Sequence, residues 1–175
     1  TITGWPGGKP NADDTNRPER ANPYPKRVII FSPHPDDDVI SMGGTFQRLV
    51  NQGHEVHVAY QTSGNIAVGD EEVIRYVSVF KHVLGELDSD NKDMMGKVDE
   101  ILNFLHNEKT KEDVDTADVR FLKGRIRREE ALSADRYVGL PAENVRFLDL
   151  PFYETGKVKK DPISEVDVNI VKEYI

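Results

Sequence analysis

The run KRVIIFS, Lys26 to Ser32, is followed by PHPDDDVI, by SMGGTFQRLVNQG and then by HEVHVAYQT. The first and last of these are short and β-branched, the mark of strands. Between them Met42, Phe46, Leu49 and Val50 recur at helical spacing, and Gly53 stops the helix. Strand, helix and strand within about 35 residues make a βαβ unit. Its crossover is right-handed and its two strands are parallel. Parallel strands are normally covered on both faces, so KRVIIFS is expected to be buried on both. The fold class that follows is α/β, a three-layer Rossmann-like domain with a mostly parallel sheet.

The rest of the chain extends this pattern. EEVIRYVSVFKHVLGEL places Val73, Ile74, Val77, Phe80, Val83 and Leu84 on one helical face, and a second helix is expected from about Met95 to His106. DSDNKD and NEKTKEDVDT read as polar loops. RIRREEALSADRYVG is a further helix closed by Gly139, VRFLDL a third strand, and SEVDVNIVKEYI a last helix with Ser164 and Asp167 as caps. That helix reaches Ile175 without a stop signal, so the domain is expected to be incomplete at its C-terminus. Residues 1–25, rich in Pro, Gly, Asn and Asp, read as a linker or extended arm, with Trp5 pinned to a surface. The domain proper is expected over 26–175, with a helical insertion at about 68–118.

Composition narrows the function classes. A net charge of −8 argues against nucleic-acid and anionic-membrane partners. No cysteine is present, which removes disulfides, thiolate metal sites and cysteine nucleophiles and fits a reducing, cytoplasmic setting. No stretch approaches the roughly 18–20 apolar residues of a membrane span, and no signal peptide is visible.

His34, Asp36, Asp37 and Asp38 follow the first strand directly, where open α/β sheets place their chemistry. Three consecutive carboxylates need water or a cation to offset their repulsion. Imidazole and carboxylate are ordinary zinc donors, and an adjacent aspartate is then placed to take a proton from water. The plainer alternative is that Asp36 to Asp38 cap the following helix and His34 lines a loop. SMGG lacks the GxGxxG spacing of a dinucleotide site. A magnesium phosphohydrolase built on Asp36 and Asp38 would leave His34 without a role.

Pro33-His34-Pro35-Asp36-Asp37-Asp38 resembles the A/P-H-P-D-D-E motif of the LmbE/PIG-L family of zinc-dependent N-deacetylases. The resemblance extends to Gly43-Gly44-Thr45, to Thr62-Ser63-Gly64 and to Ile126-Arg127-Arg128-Glu129-Glu130-Ala131, which is similar to the family's iRxxEa helix. It implies hydrolysis of an N-acetyl group from an N-acetylglucosamine-type sugar or sugar phosphate, with His34 and Asp37 as zinc ligands and Asp36 as general base. Asp38, Arg127 and Glu130 would bind substrate or support the site, although Arg127 and Glu130 at i, i+3 equally suit a surface pair.

Three departures accompany the resemblance. Asp38 stands where the family has glutamate. About 60 residues separate Gly64 from Arg125, more than in many relatives. The family's third zinc ligand comes from a histidine loop after the third strand, and no histidine follows His106 here. His82 and His106 are expected to be exposed or partly packed, and His57 structural. The third protein ligand of a Zn2+ site is therefore missing from this chain, and these residues by themselves are expected to be poorly active or inactive. TITGWPGGKPNADDTNRPER together with the motif is also similar to the linker and second module of bacterial glucosamine-6-phosphate deaminase-like fusion proteins. The implied partners are a small-molecule amino sugar and an N-terminal deaminase-like module, and a homo-oligomer is compatible. The reading from another class is a non-catalytic assembly or ligand-sensing domain of a sugar-phosphate enzyme.

Overall fold

The computed structural model describes residues 24–87, 92–155 and 159–175. All of the expected arm except Tyr24 and Pro25, including Trp5, lies outside the described residues, as do Lys157 and most of the DSDNKD loop. The elements are β1 (Arg27–Ser32), α1 (Asp37–Asn51), β2 (Glu55–Tyr60), α2 (Asp70–Leu87), α3 (Lys92–Asn103), α4 (Ala117–Val138), β3 (Val145–Phe147) and α5 (Glu165–Tyr174). The three strands form one parallel sheet in the order β1-β2-β3, with Ile30 opposite Val58 and Val58 opposite Val145. No described helix is long and apolar enough to cross a membrane.

The chain forms two compact units, and α4 runs through the boundary. The first holds the sheet, α1, the C-terminal half of α4 and α5. Alternation along the strands sends Val28, Ile30, Val56, Val58 and Tyr60 to one face, where they meet Phe46 and Leu49 of α1 and Ala131 of α4. The opposite face carries Ile29 and Ala59 and is met by Ile170, Val171 and Tyr174 of α5. Helix, sheet and helix therefore form the expected three layers. The expected two-sided burial of β1 is corrected: Phe31 stays 38% exposed, touched edge-on by Tyr174 at 6.4 Å, because α5 alone among the described helices packs on that face.

The second unit comprises Gly64–Arg127 and the described part of Thr155–Lys160. Val68, Val73 and Val77 pack with Val98, Ile101, Leu102, Leu105, Leu122 and Ile126, a core of its own between α2, α3 and the start of α4. Lys109 and Lys123 each bond both Asp70 and Asp115 at 2.5–2.8 Å, a four-membered ion network with the lysine heads largely buried. Burial alone would lower the pKa of Lys109; its bonds to Asp115 and Asp70 outweigh that and raise it.

Element boundaries differ from the sequence reading in several places: α3 runs from Lys92 to Asn103 where about Met95 to His106 was expected, and three further cases have a local cause. α1 begins at Asp37, four residues before SMGG, and is broken at Met42, whose φ of −147° is not helical. α4 begins at Ala117 rather than Arg125, because the Thr116 hydroxyl accepts the Val119 N–H as an N-cap and Val119, Leu122 and Ile126 continue a buried stripe. β3 is shorter than VRFLDL: Asp149 takes φ +47°, which turns the backbone out of the ladder. Leu148 and Leu150 still donate to Tyr60 and Gln61 on either side of that kink. The last helix is as expected, with the Ser164 N–H and hydroxyl both donating to Asp167.

Candidate functional site

The first unit gathers three loops at the C-terminal ends of its strands. The loop after β1 is stiffened by Pro33 and Pro35, with Pro35 buried. Its start is held by Thr62, whose N–H and hydroxyl both donate to the Pro33 carbonyl at 3.2 and 2.7 Å. Its interior is held by Ser32, the last residue of β1: the Ser32 hydroxyl donates to the His34 carbonyl at 2.7 Å and accepts from the Asp38 N–H at 3.0 Å. The loop after β3 closes over both neighbours. Tyr153 meets the His34 ring edge-on at 5.5 Å, and the two oxygens of Glu154 accept from the Ser63 N–H and hydroxyl at 3.0 Å each.

Within this frame His34 and Asp37 come together. One oxygen of Asp37 accepts both the His34 backbone N–H and the ring Nδ1–H at 3.0 Å. That bond assigns the proton to Nδ1 and leaves Nε2 as the basic nitrogen of the ring. Both side chains are part-exposed, which gives a solvent ion or a small molecule access to them. Asp36 precedes α1 as its N-cap, with φ +149° and ψ −22°, a region that a non-glycine residue adopts only under strain. Asp37 and Asp38 occupy the first turn of α1, where the helix dipole favours carboxylates. Of the capping alternative raised by the sequence, the first-turn place of Asp37 and Asp38 is present, whereas Asp36 at the N-cap makes no side-chain cap hydrogen bond.

Asp38 differs from its neighbours in being 2% exposed. Its carboxylate faces the Ser32 hydroxyl at 3.3 Å and accepts from the Tyr60 hydroxyl at 3.0 Å. Tyr60 also contacts Asp135 of α4 at 3.2 and 3.3 Å. Burial, and then the charge of Asp38, push the Asp135 carboxyl up to about 7, and burial pushes the Tyr60 phenol well above its ordinary range. Arg127 and Glu130 stand on α4, half-buried and exposed respectively.

Among the described residues no group of three or more His, Cys, Asp or Glu side chains is arranged to hold a metal ion. A catalytic zinc commonly takes three protein ligands. His34 and Asp37 fit two of those places by chemistry and by proximity, and no described residue fills the third. His82 and His106 are exposed, as expected. His57, also as expected, faces away from Val56 and Val58; it lies 3.3 Å from Glu55 and lines an open cavity of about 680 Å³ with Ile29, Arg146 and Tyr174.

Four residues of this junction were not singled out from the sequence: Tyr60, Asp135, Tyr153 and Glu154. For Asp135 a signal existed, since Ala131, Asp135 and Val138 share one helical stripe and a carboxylate within an apolar stripe invites explanation. For Tyr153 and Glu154 only their place after a strand was available.

Comparison with known proteins bears on the whole arrangement. The family model described as GlcNAc-PI de-N-acetylase (PIG-L) matches residues 29–175. A glucosamine-6-phosphate deaminase-like protein of Bacteroides thetaiotaomicron is 62% identical over 177 residues, covering 100% of this chain and 26% of its own length. The chain thus spans about a quarter of that curated relative. A diacetylchitobiose deacetylase of Thermococcus kodakarensis is 40% identical over 48 residues, 27% of this chain and 18% of its own length. No solved structure matches the chain. With its motif loop and RIRREEA helix inside the matched span, together with all of the βαβ unit but Arg27 and Val28, the chain belongs to the PIG-L family of GlcNAc-PI de-N-acetylases.

Proposed function

We propose that this chain carries the N-terminal part of a deacetylase site that hydrolyses the N-acetyl group of an N-acetylglucosamine-type sugar or sugar phosphate. The observation that carries the reading is the pairing of His34 with Asp37 beside the strained Asp36, on a loop within the span matched by the family. His34 Nδ1 and the Asp37 oxygen 3.0 Å from it would supply two donors to a zinc ion in place of the proton they share, and the ion when bound would acidify water and polarise an amide carbonyl. Asp36 accepts the proton of the attacking water and returns it to the amine nitrogen as the C–N bond breaks. The products are acetate and the free amino sugar. Tyr153, edge-on to the His34 ring, limits how a sugar ring approaches. Arg127 and Glu130 are assigned to substrate contact or support.

The same reading makes residues 1–25 a connector to a deaminase-like module in a longer protein, in keeping with the printed name of the Bacteroides relative. The reading as a non-catalytic ligand-sensing domain draws on the absence of a third donor among the described residues. Two measurements on the complete native protein that contains this chain separate the two: zinc affinity by chelator competition, and acetate release from N-acetylglucosamine and its 6-phosphate. Deacetylation predicts zinc binding that Asp37→Ala weakens at least about tenfold, and turnover that Asp36→Asn lowers by roughly 10² or more. Sugar binding without acetate release, unchanged by Asp36→Asn, would establish the sensing domain instead.

A further inference from the structure

We propose that Tyr60 and Asp135 are positioning residues: Asp135 fixes the direction of the Tyr60 hydroxyl, and Tyr60 thereby holds Asp38 and the His34–Asp37 loop in place. The inference rests on the deacetylase reading above and deepens it.

The argument starts from a count of protons. Asp38, Tyr60 and Asp135 are 2%, 0% and 1% exposed, so water does not satisfy them. The Tyr60 hydroxyl has one proton and two carboxyl groups in reach, at 3.0 Å (Asp38) and 3.2 Å (Asp135). Were the hydroxyl to donate to Asp135, the Asp38 oxygen facing it would lose its donor, a large penalty for a buried carboxylate. With Tyr60 donating along its shorter contact, to Asp38 at 3.0 Å, the remaining atoms are satisfied when Asp135 is protonated and donates to the Tyr60 oxygen. The upward shift of the Asp135 carboxyl agrees with it. The Tyr60 ring cannot swing away, because Phe147 stacks on it at 5.0 Å with the planes 17° apart.

Asp38 is the point at which this chain acts on the site. It directly follows Asp37 and lies two residues after Asp36. Its N–H and carboxylate are the anchors of the helix-side end of the loop, to Ser32 on one side and Tyr60 on the other. A slack Asp38 shifts both residues assigned to chemistry, with no effect on the Thr62 clamp at the other end. Supporting groups of this kind set metal affinity and rate without touching substrate.

The test compares Tyr60→Phe, Asp135→Asn and Asp135→Ala in the complete native protein. Tyr60→Phe is expected to lower kcat for acetate release from N-acetylglucosamine about 10- to 100-fold with KM within about twofold, and to weaken zinc affinity about tenfold. Amide exchange at His34 and Asp38 should speed up about tenfold while Val58 in β2 keeps its protection. Asp135→Asn, whose amide also donates to Tyr60, should stay within about threefold of the parent in every readout; Asp135→Ala should follow Tyr60→Phe. Parent-like kcat, zinc affinity and loop exchange in Tyr60→Phe would overturn the inference, as would equal losses in Asp135→Asn and Asp135→Ala. If the parent protein releases no acetate, the deacetylase reading fails by itself, and amide exchange still decides whether Tyr60 and Asp135 hold the loop. If Asp135→Ala does not fold, Tyr60→Phe decides.

Discussion

Asp135 lies between Ala131 and Val138 on the buried stripe of α4, and an acid in that place has a cost that depends on pH. Burial and the neighbouring Asp38 raise it to about 7 in the folded chain, whereas an unfolded aspartate titrates near 3.9. Below about pH 4 both states are protonated. As pH rises toward 7 the unfolded state loses its proton first, so folding stability falls across that window by roughly 3–5 kcal/mol and is level above it. Asp135→Asn removes this loss. Urea midpoints at pH 5 and pH 8 should therefore separate more in the parent than in the asparagine variant, and parallel profiles would show that Asp135 ionises freely. Residue-scale chemistry was legible in the sequence where it was local. His34 and Asp37 are three apart in a loop stiffened by two prolines, and their pairing needs no distant contact. Tyr60 and Asp135 are 75 residues apart, and only the parallel placement of β2 under α4 brings their polar atoms together.

At the scale of elements the ion network of the second unit does what its small core does elsewhere by apolar contact. Asp70 at the head of α2, Lys109 and Asp115 in the connection and Lys123 in α4 tie three segments through two lysines. Removing one buried partner leaves uncompensated charge, so Lys123→Ala should destabilise this unit by about 3 kcal/mol. Amide exchange is the suitable measurement: protection should drop in α2 and the start of α4 and remain unchanged in β1 and β2. Helices were easier to find in the sequence than their ends. The stripe of Val73, Ile74 and Val77 marks α2 without ambiguity, but the start of α4 depends on one Thr116 hydroxyl, set within the polar run NEKTKEDVDT. β3 was overextended for a related reason. VRFLDL alternates like a strand, while Asp149 forms an ion pair with Arg128 and turns the chain at its own φ.

For the whole molecule the net charge of −8 leads to the expectation that polyanions are disfavoured as partners. Retention on a polyanion such as heparin should be absent at about 0.1 M salt, and binding that weakens steeply with salt would reveal a basic face that composition does not suggest. The α/β class, the parallel sheet and the family were all legible from one βαβ unit and two motifs. Three layers were expected as well, but the helix that supplies the third was not, since nothing in SEVDVNIVKEYI says that α5 packs against Ile29 and Ala59. That contact is long-range, and a sequence pattern records only that a face is apolar, not what it meets.

Asp36 shows a trade-off between durability and work. Its φ of +149° suits glycine, which adopts such angles without the steric cost a side chain incurs. The Asp36 carbonyl already receives the Val39 and Ile40 N–H groups, and a glycine would keep both bonds. Selection for persistence alone would therefore place glycine at this position. Asp36→Gly is expected to melt at a higher temperature than the parent, and loss of acetate release in the same variant would tie the strain at this residue to the proton acceptor proposed for it.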